Sequence, residues 1–301
     1  MNLLVTYKPY WKPSHLEFFR ANSGSCTIIE DERIPLADQG IDPSKFDTII
    51  CVGLFRHNNI EYFTNLKKIQ FMNAGCEDAP LEYMQEHGIE FHNARGIYSI
   101  PISEFVISRI LESYRNLKFF NANQQKHVWE KYRNNLELHG KTVAIVGCGS
   151  IGSACARLFK AFDCQVLGLN KSTQAREYFD EIYPIADRLE ILPQADIVLI
   201  SCPLTRDTEN LFSAEEFAAM KESVLVVNIC RGKVVDQDAL TCALESKQIA
   251  GAILDVFAEE PLPPDSPLWD MPNVSISPHN SFDGQHNSDR MFELCKMNVF
   301  D

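Results

Sequence analysis

At 301 residues, 45% of them hydrophobic and 23% charged, the chain has the composition of an ordinary globular protein and suits two domains better than one. Its formal charge of −13, from 28 basic and 41 acidic residues, repels phosphate backbones and anionic lipid and argues against nucleic-acid or membrane partners. No apolar run approaches the roughly 18 residues of a membrane span.

The opening Met1-Asn2-Leu3-Leu4-Val5-Thr6 reads as a strand, not a secretory leader. Short runs rich in Val and Ile then recur at 48–53, 68–72, 142–146, 165–169, 197–201, 224–228, 252–254 and 274–276. Helix-length segments with polar faces, such as 153–161, 214–220 and 237–246, lie between them. Uniformly apolar strands alternating with helices predict an α/β protein with parallel sheets covered on both faces. Residues 101–121 interrupt the alternation with one long helical period, apolar at 102, 105, 106, 110, 114 and 117. Pro101 suits its first turn and Glu104 the positive end of its dipole. Periodicity leaves three roles open for it: connector, subunit interface or core. The domain boundary is placed just before it, near Gly96.

Ten cysteines are spread from position 26 to 295 without a Cys-x-x-Cys pair. Several lie in apolar runs, Cys51 and Cys230 among them, where a thiol behaves as a small hydrophobe. Free thiols in a reducing, cytoplasmic setting are expected, and no metal site.

The strongest local signal is Val146-Gly147-Cys148-Gly149-Ser150-Ile151-Gly152, which follows an apolar strand and opens a helix. In that context Gly-x-Gly-x-x-Gly is a dinucleotide fingerprint. Gly147 permits the tight turn, Gly149 lets a pyrophosphate approach the backbone, and Gly152 lets helix and strand pack closely. The next strand ends in Asn170-Lys171-Ser172, where an NAD enzyme usually places a carboxylate for the ribose 2′-hydroxyl. An amide, a cation and a hydroxyl accept a 2′-phosphate instead. NADP(H) is therefore the expected cofactor, with NAD(H) possible.

Three further signatures follow: Asn228-Ile229-Cys230-Arg231-Gly232, Asp255-Val256-Phe257-Ala258-Glu259-Glu260-Pro261 and Ser277-Pro278-His279. Each places a charged or titratable residue just beyond a strand, where ligands of open α/β sheets gather. Arg231, Glu260 and His279 can thus meet in one crevice.

With the glycine fingerprint and the Cys202-Pro203-Leu204-Thr205 turn, this ordered set resembles the D-isomer-specific 2-hydroxyacid dehydrogenase family over nearly the whole chain. The resemblance implies two Rossmann-like domains. A doubly wound parallel-sheet cofactor domain, 97–281, would be inserted in a flavodoxin-like substrate domain made of 1–96 and 282–301. It implies a homodimer through the 101–121 region. It also implies a hydride transfer between NADP(H), or NAD(H), and a small D-2-hydroxy acid or 2-oxo acid. His279 would be the acid/base, Glu260 would hold its tautomer and favour the imidazolium, and Arg231 would grip the carboxylate and carbonyl. Ser150 and Ile151 would offer backbone to the pyrophosphate, Pro203 and Thr208 would line the adenosine side, and Ile229 would meet the nicotinamide. Asp255 would accept from the carboxamide, or instead brace a loop.

In the first domain, Asn73-Ala74-Gly75-Cys76-Glu77-Asp78 resembles the family's substrate loop, with amides of Ala74, Gly75 and Cys76 holding the carboxylate. Cys76 and Ile102-Ser103-Glu104 depart mildly from the family's usual Val and Val-Ala-Glu. Arg56-His57 follows the 48–53 strand; solvent exposure is the expected reading, with a second substrate anion as the other. The chain leaves no room for the regulatory domain many phosphoglycerate dehydrogenases carry, a slight argument because short forms exist. Formate dehydrogenases, similar in fold, carry Gln where Glu260 stands here. A dinucleotide-sensing, corepressor-like regulator of the same fold is the alternative function.

Overall fold

The computed structural model describes residues 1–76 and 79–301. Contacts divide the chain into two units, Met1–Tyr98 with Gly284–Asp301, and Ser99–Asp283; the expected limits were 96 and 282. Among the described residues no helix is long and apolar enough to cross a membrane. Among the described residues no cysteine is joined in a disulfide.

In the first unit, β1 (Asn2–Val5), β2 (Ser25–Ile28), β3 (Thr48–Cys51), β4 (Lys68–Phe71) and β5 (Glu90–His92) form a parallel sheet ordered β2-β1-β3-β4-β5. This is the flavodoxin-like order. Every residue of the central strand β3 is buried, as expected where helices cover both faces. Helix α1 (Pro13–Ala21) starts with a proline, whose fixed φ suits a first turn, and buries Leu16 and Phe19. Helix α2 (Leu81–Glu86) buries Met84. A helix at Asn287–Cys295 sets Met291 and Cys295 into the same cluster as Leu3, Val5 and Phe19. Just beyond it, the Asn298 amide donates to Gln70 Oε1 at 2.8 Å, and the Lys68 ammonium donates to the Asn298 carbonyl at 2.9 Å.

The second unit opens with α3 (Ser99–Tyr114) and α4 (Leu117–Gln125). The single helix expected over 101–121 is broken, because Asn116 takes a left-handed backbone at φ 51°. Of the three roles left open, α3 fills that of core: Ile102, Val106, Ile110 and Tyr114 are buried and the helix packs on α5 (Ser150–Lys160). Helices α6 (Arg188–Ile191), α7 (Ala214–Ala219) and α8 (Gln237–Glu245) follow. The strands are β6 (Thr142–Val146), β7 (Gln165–Asn170), β8 (Glu181–Pro184), β9 (Ile197–Ile200), β10 (Leu225–Asn228), β11 (Gly251–Leu254) and β12 (Val274–Ile276). They make a parallel sheet ordered β12-β11-β10-β9-β6-β7-β8. Counted within the unit this is the Rossmann order, and it reverses between β6 and β9, where such sheets bind ligands at the strands' carboxyl ends.

Candidate active site

The glycine fingerprint occupies that reversal. Gly147 has φ 95°, and a Cβ there would lie 2.7 Å from the Cys202 backbone. A Cβ on Gly152 would lie 2.2 Å from the Gly147 carbonyl oxygen, so helix α5 meets the turn only because both positions lack one. Gly149 differs. A Cβ built on it meets no atom within 4 Å, and Gly149 gives α5 no side-chain cap. The open space beside uncapped amides, next to Ser150 and Ile151, is the cradle a pyrophosphate needs. A dinucleotide fits these residues.

At the end of β7, Asn170 Oδ1 accepts from the Cys148 N–H at 3.4 Å, tying the strand end to the glycine turn. Lys171 and Ser172 are exposed. Lys171 pairs with Asp207 at 2.9 Å, both side chains largely in water. Sequence reasoning missed both Asp207 and Arg176. The Arg176 charge reaches Cys148 in the turn, and its Nε is buried without a partner among the described residues. The only sequence signal for it was a cation a few residues past a strand end. Thr208 is buried and spends its hydroxyl on its own turn, donating to the Pro203 carbonyl at 2.7 Å and accepting from the Thr205 N–H at 2.8 Å. Ile229 is buried, its N–H donating to the Ile200 carbonyl at 3.3 Å.

Beyond β10, the Asn228 amide donates to the Arg231 carbonyl at 3.2 Å and holds the turn. A Cβ on Gly232 would sit 1.8 Å from the Phe257 carbonyl carbon. The Arg231 turn is therefore pressed against the segment that leads to Glu260. Glu260 Oε1 accepts from the Phe257 N–H at 3.0 Å, and Oε2 lies 2.8 Å from His279 Nδ1. Both side chains remain over a third exposed. The Arg231 guanidinium donates to the Cys230 carbonyl at 2.7 Å.

His279 has a left-handed backbone, φ 50°, which costs a non-glycine residue about 1–3 kcal/mol and persists only where surroundings enforce it. Asp255 enforces it. The His279 N–H donates to the Asp255 carbonyl at 2.8 Å. The Asp255 carboxylate, 1% exposed, accepts from the Ser277 hydroxyl at 2.6 Å, the Asn280 N–H at 3.0 Å, and the Ser281 N–H and hydroxyl. Of its two expected roles, Asp255 is seen in the bracing one. Ser277 and Ser281 lie in and beside the Ser277-Pro278-His279 signature, but the sequence assigns them no role.

In the first unit, the Asn73 amide donates to the Gly75 carbonyl at 2.7 Å and the Asn93 amide to the Ala74 carbonyl at 2.8 Å. Both bonds are made to carbonyls of the Ala74–Gly75 turn. Cys76 packs against that unit's core. Glu77 and Asp78 lie outside the described residues. The Arg56 side chain folds over Gly53. Buried Glu32, also missed, accepts from the Thr6 hydroxyl at 2.5 Å, the Val52 N–H at 3.1 Å and the Gly53 N–H. Among the described residues no cluster of three His, Cys, Asp or Glu is placed to hold a metal ion.

The family model for the NAD-binding domain of D-isomer-specific 2-hydroxyacid dehydrogenases matches residues 107–281, more than half the chain. The chain belongs to that family. It is 34% identical to a glyoxylate reductase of Thermofilum pendens over 243 residues, 78% of this chain and 71% of the relative. A solved D-isomer-specific 2-hydroxyacid dehydrogenase family protein of Aeromonas salmonicida superposes with a TM-score of 0.83 at 27% identity, covering 99% of this chain and 94% of that one. An NADPH-dependent glyoxylate/hydroxypyruvate reductase of Sinorhizobium meliloti, solved with NADP and sulfate, gives 0.78 at 26% identity, with 99% and 94% covered. This member of the 2-hydroxyacid dehydrogenases is an oxidoreductase that uses a nicotinamide dinucleotide.

Proposed function

We propose that this 2-hydroxyacid dehydrogenase reduces small 2-oxo acids, of the glyoxylate or hydroxypyruvate kind, to D-2-hydroxy acids. The 2.8 Å approach of Glu260 to His279 Nδ1, beside a turn that carries Arg231, carries the reading. Glu260 holds Nδ1 and so leaves His279 Nε2 to give a proton to the carbonyl oxygen. Arg231 binds the carboxylate and polarises the carbonyl through its planar fork. The bound dinucleotide supplies the hydride. Asp255 positions His279 through the 277–281 loop. The amides of 74–76 are the proposed hold on the substrate carboxylate.

NADP(H) is the proposed cofactor, with NAD(H) the poorer one. An exposed ion pair such as Lys171–Asp207 is worth about 0–1 kcal/mol, so Lys171 can exchange Asp207 for a 2′-phosphate at little cost. Arg176 supplies a second cation near the glycine turn, and the Sinorhizobium meliloti relative is itself NADPH-dependent. The test is kcat/KM with NADPH over NADH across a panel of 2-oxo acids, in wild type and Lys171→Asp. The ratio should exceed one and drop in the variant; a wild-type ratio favouring NADH overturns the cofactor reading. No turnover of any 2-oxo acid by protein that binds NADPH overturns the substrate reading.

A homodimer is part of the same reading, moved from the expected 101–121 to residues 117–136. Helix α3 is spent on its own core, whereas Leu117, Phe120, Val128, Trp129 and Leu136 are exposed, Trp129 by 97%. Apolar exposure on that scale is characteristic of a surface that pairs.

A further inference from the structure

Cys202 and Cys230 stand two residues beyond β9 and β10. Those strands pair in parallel with Asn228 opposite Ile200, and the Ile229 N–H extends the ladder. The same register sets Cys230 opposite Cys202, and the period of two puts both on one face. Neighbouring strands run about 4.8 Å apart, inside the roughly 4.4–6.8 Å Cα window of a disulfide. The two side chains sit in one apolar cluster and act on each other electrostatically.

Their surroundings differ in a way that assigns roles. Cys230 donates its S–H to Asn228 Oδ1 at 3.2 Å, and burial, helped by the neighbouring sulfur, pushes its thiol well up. The neighbouring Cys230 side chain pulls the Cys202 thiol below its ordinary value despite burial. The more readily ionised sulfur is the attacking one.

We propose that Cys202 and Cys230 form an oxidisable dithiol, which a hydroperoxide converts into a disulfide joining the ends of β9 and β10. The Cys202 thiolate attacks the outer peroxide oxygen, the O–O bond breaks, and the alcohol or water leaves with Cys202 as a sulfenic acid. The Cys230 sulfur then displaces that hydroxyl, its own proton going to the departing water. Two thiols and one peroxide give one disulfide, one water and one alcohol or second water; the sulfurs lose two electrons and the peroxide gains them. Cys230 precedes Arg231, whose guanidinium is bonded to the Cys230 carbonyl, and Cys202 precedes Pro203. The cross-link therefore resets the Arg231 turn. Loss of turnover on oxidation rests on the proposed role of Arg231, whereas the cross-link does not.

The full-length protein is exposed to hydrogen peroxide, alkylated, digested and mapped by mass spectrometry, beside turnover of a 2-oxo acid. A linked peptide carrying residues 202 and 230 should appear as turnover falls, and dithiothreitol should reverse both. Cys202→Ser and Cys230→Ala should form no such peptide and keep their starting turnover through the same exposure. Absence of the 202–230 link in treated wild type, or cross-linking to other cysteines in its place, overturns the proposal whether or not the variants fold. If untreated protein turns over no 2-oxo acid, the functional reading falls and the map still decides the dithiol.

Discussion

The imidazole of His279 is fixed from three directions. Its backbone is held left-handed by the Asp255 carbonyl, its loop by the Asp255 carboxylate, and its Nδ1 by Glu260. In the proposed roles, replacing the imidazole removes the acid but not the grip on substrate. His279→Gln should lower kcat by about a hundred- to ten-thousand-fold with KM nearly unchanged. Glu260→Ala should lower kcat by less, since the ring keeps its place and loses only the acceptor that orients it. Steady-state kinetics check both, and a rise in KM alone for either variant would move that residue out of the proton-transfer role. The types and spacing of Arg231, Glu260 and His279 were legible in the chain because each follows an apolar strand. The occupation of Asp255 by Ser277, Asn280 and Ser281 was not, because which hydroxyls and amides turn inward depends on a loop path that no periodicity encodes. Likewise nothing local to Lys171 announces Asp207, which is distant in sequence.

Elements differ in how much of their reason lies in local pattern. The runs that became β3, β6, β9 and β10 are mostly apolar and buried almost throughout because they lie inside their sheets. The strands that went unread, β2, β5 and β8, are all at sheet edges. Their sequences, Ser-Cys-Thr-Ile, Glu-Phe-His and Glu-Ile-Tyr-Pro, are mixed and part-exposed, so pairing defines them more than composition does. The glycines test the turn geometry directly. Gly149→Ala should leave the thermal midpoint nearly unchanged, since its Cβ meets nothing, yet weaken NADPH binding measured by fluorescence titration. Gly232→Ala should unfold or strongly destabilise the protein, because its Cβ would overlap the Phe257 backbone. Comparable midpoints for the two variants would contradict this.

Helix α7 offers a pH test. Ser213 and Glu216 form a capping box at its start, and Glu216 Oε1 accepts from the Arg188 guanidinium at 2.8 Å. Burial raises the Glu216 carboxyl, but the Ser213 N–H and hydroxyl and Arg188 outweigh it and hold it below the ordinary glutamate value. A depressed carboxylate stabilises the fold fully above its unfolded value, and that contribution disappears as pH falls through the lower folded value. Glu216→Ala should therefore cost roughly 3 kcal/mol near neutrality, from the lost cap and the unpaired Arg188. Denaturant melts should show wild type and variant converging in acid; a gap independent of pH would refute the assignment.

On the scale of the whole molecule, the exposed apolar residues between 117 and 136 predict association. Sedimentation should give twice the chain mass for the wild type and the single mass for Trp129→Asp; a monomeric wild type would remove the dimer. The flavodoxin-like unit is itself assembled from two stretches of chain, with Met291, Cys295 and Val299 completing the cluster of Leu3, Val5 and Phe19. On the ribosome these partners are separated by the entire Rossmann unit. The enclosed unit can mature while the outer one waits with one face uncovered, so slow elongation or clipping past residue 284 leaves that face to chaperones and proteases.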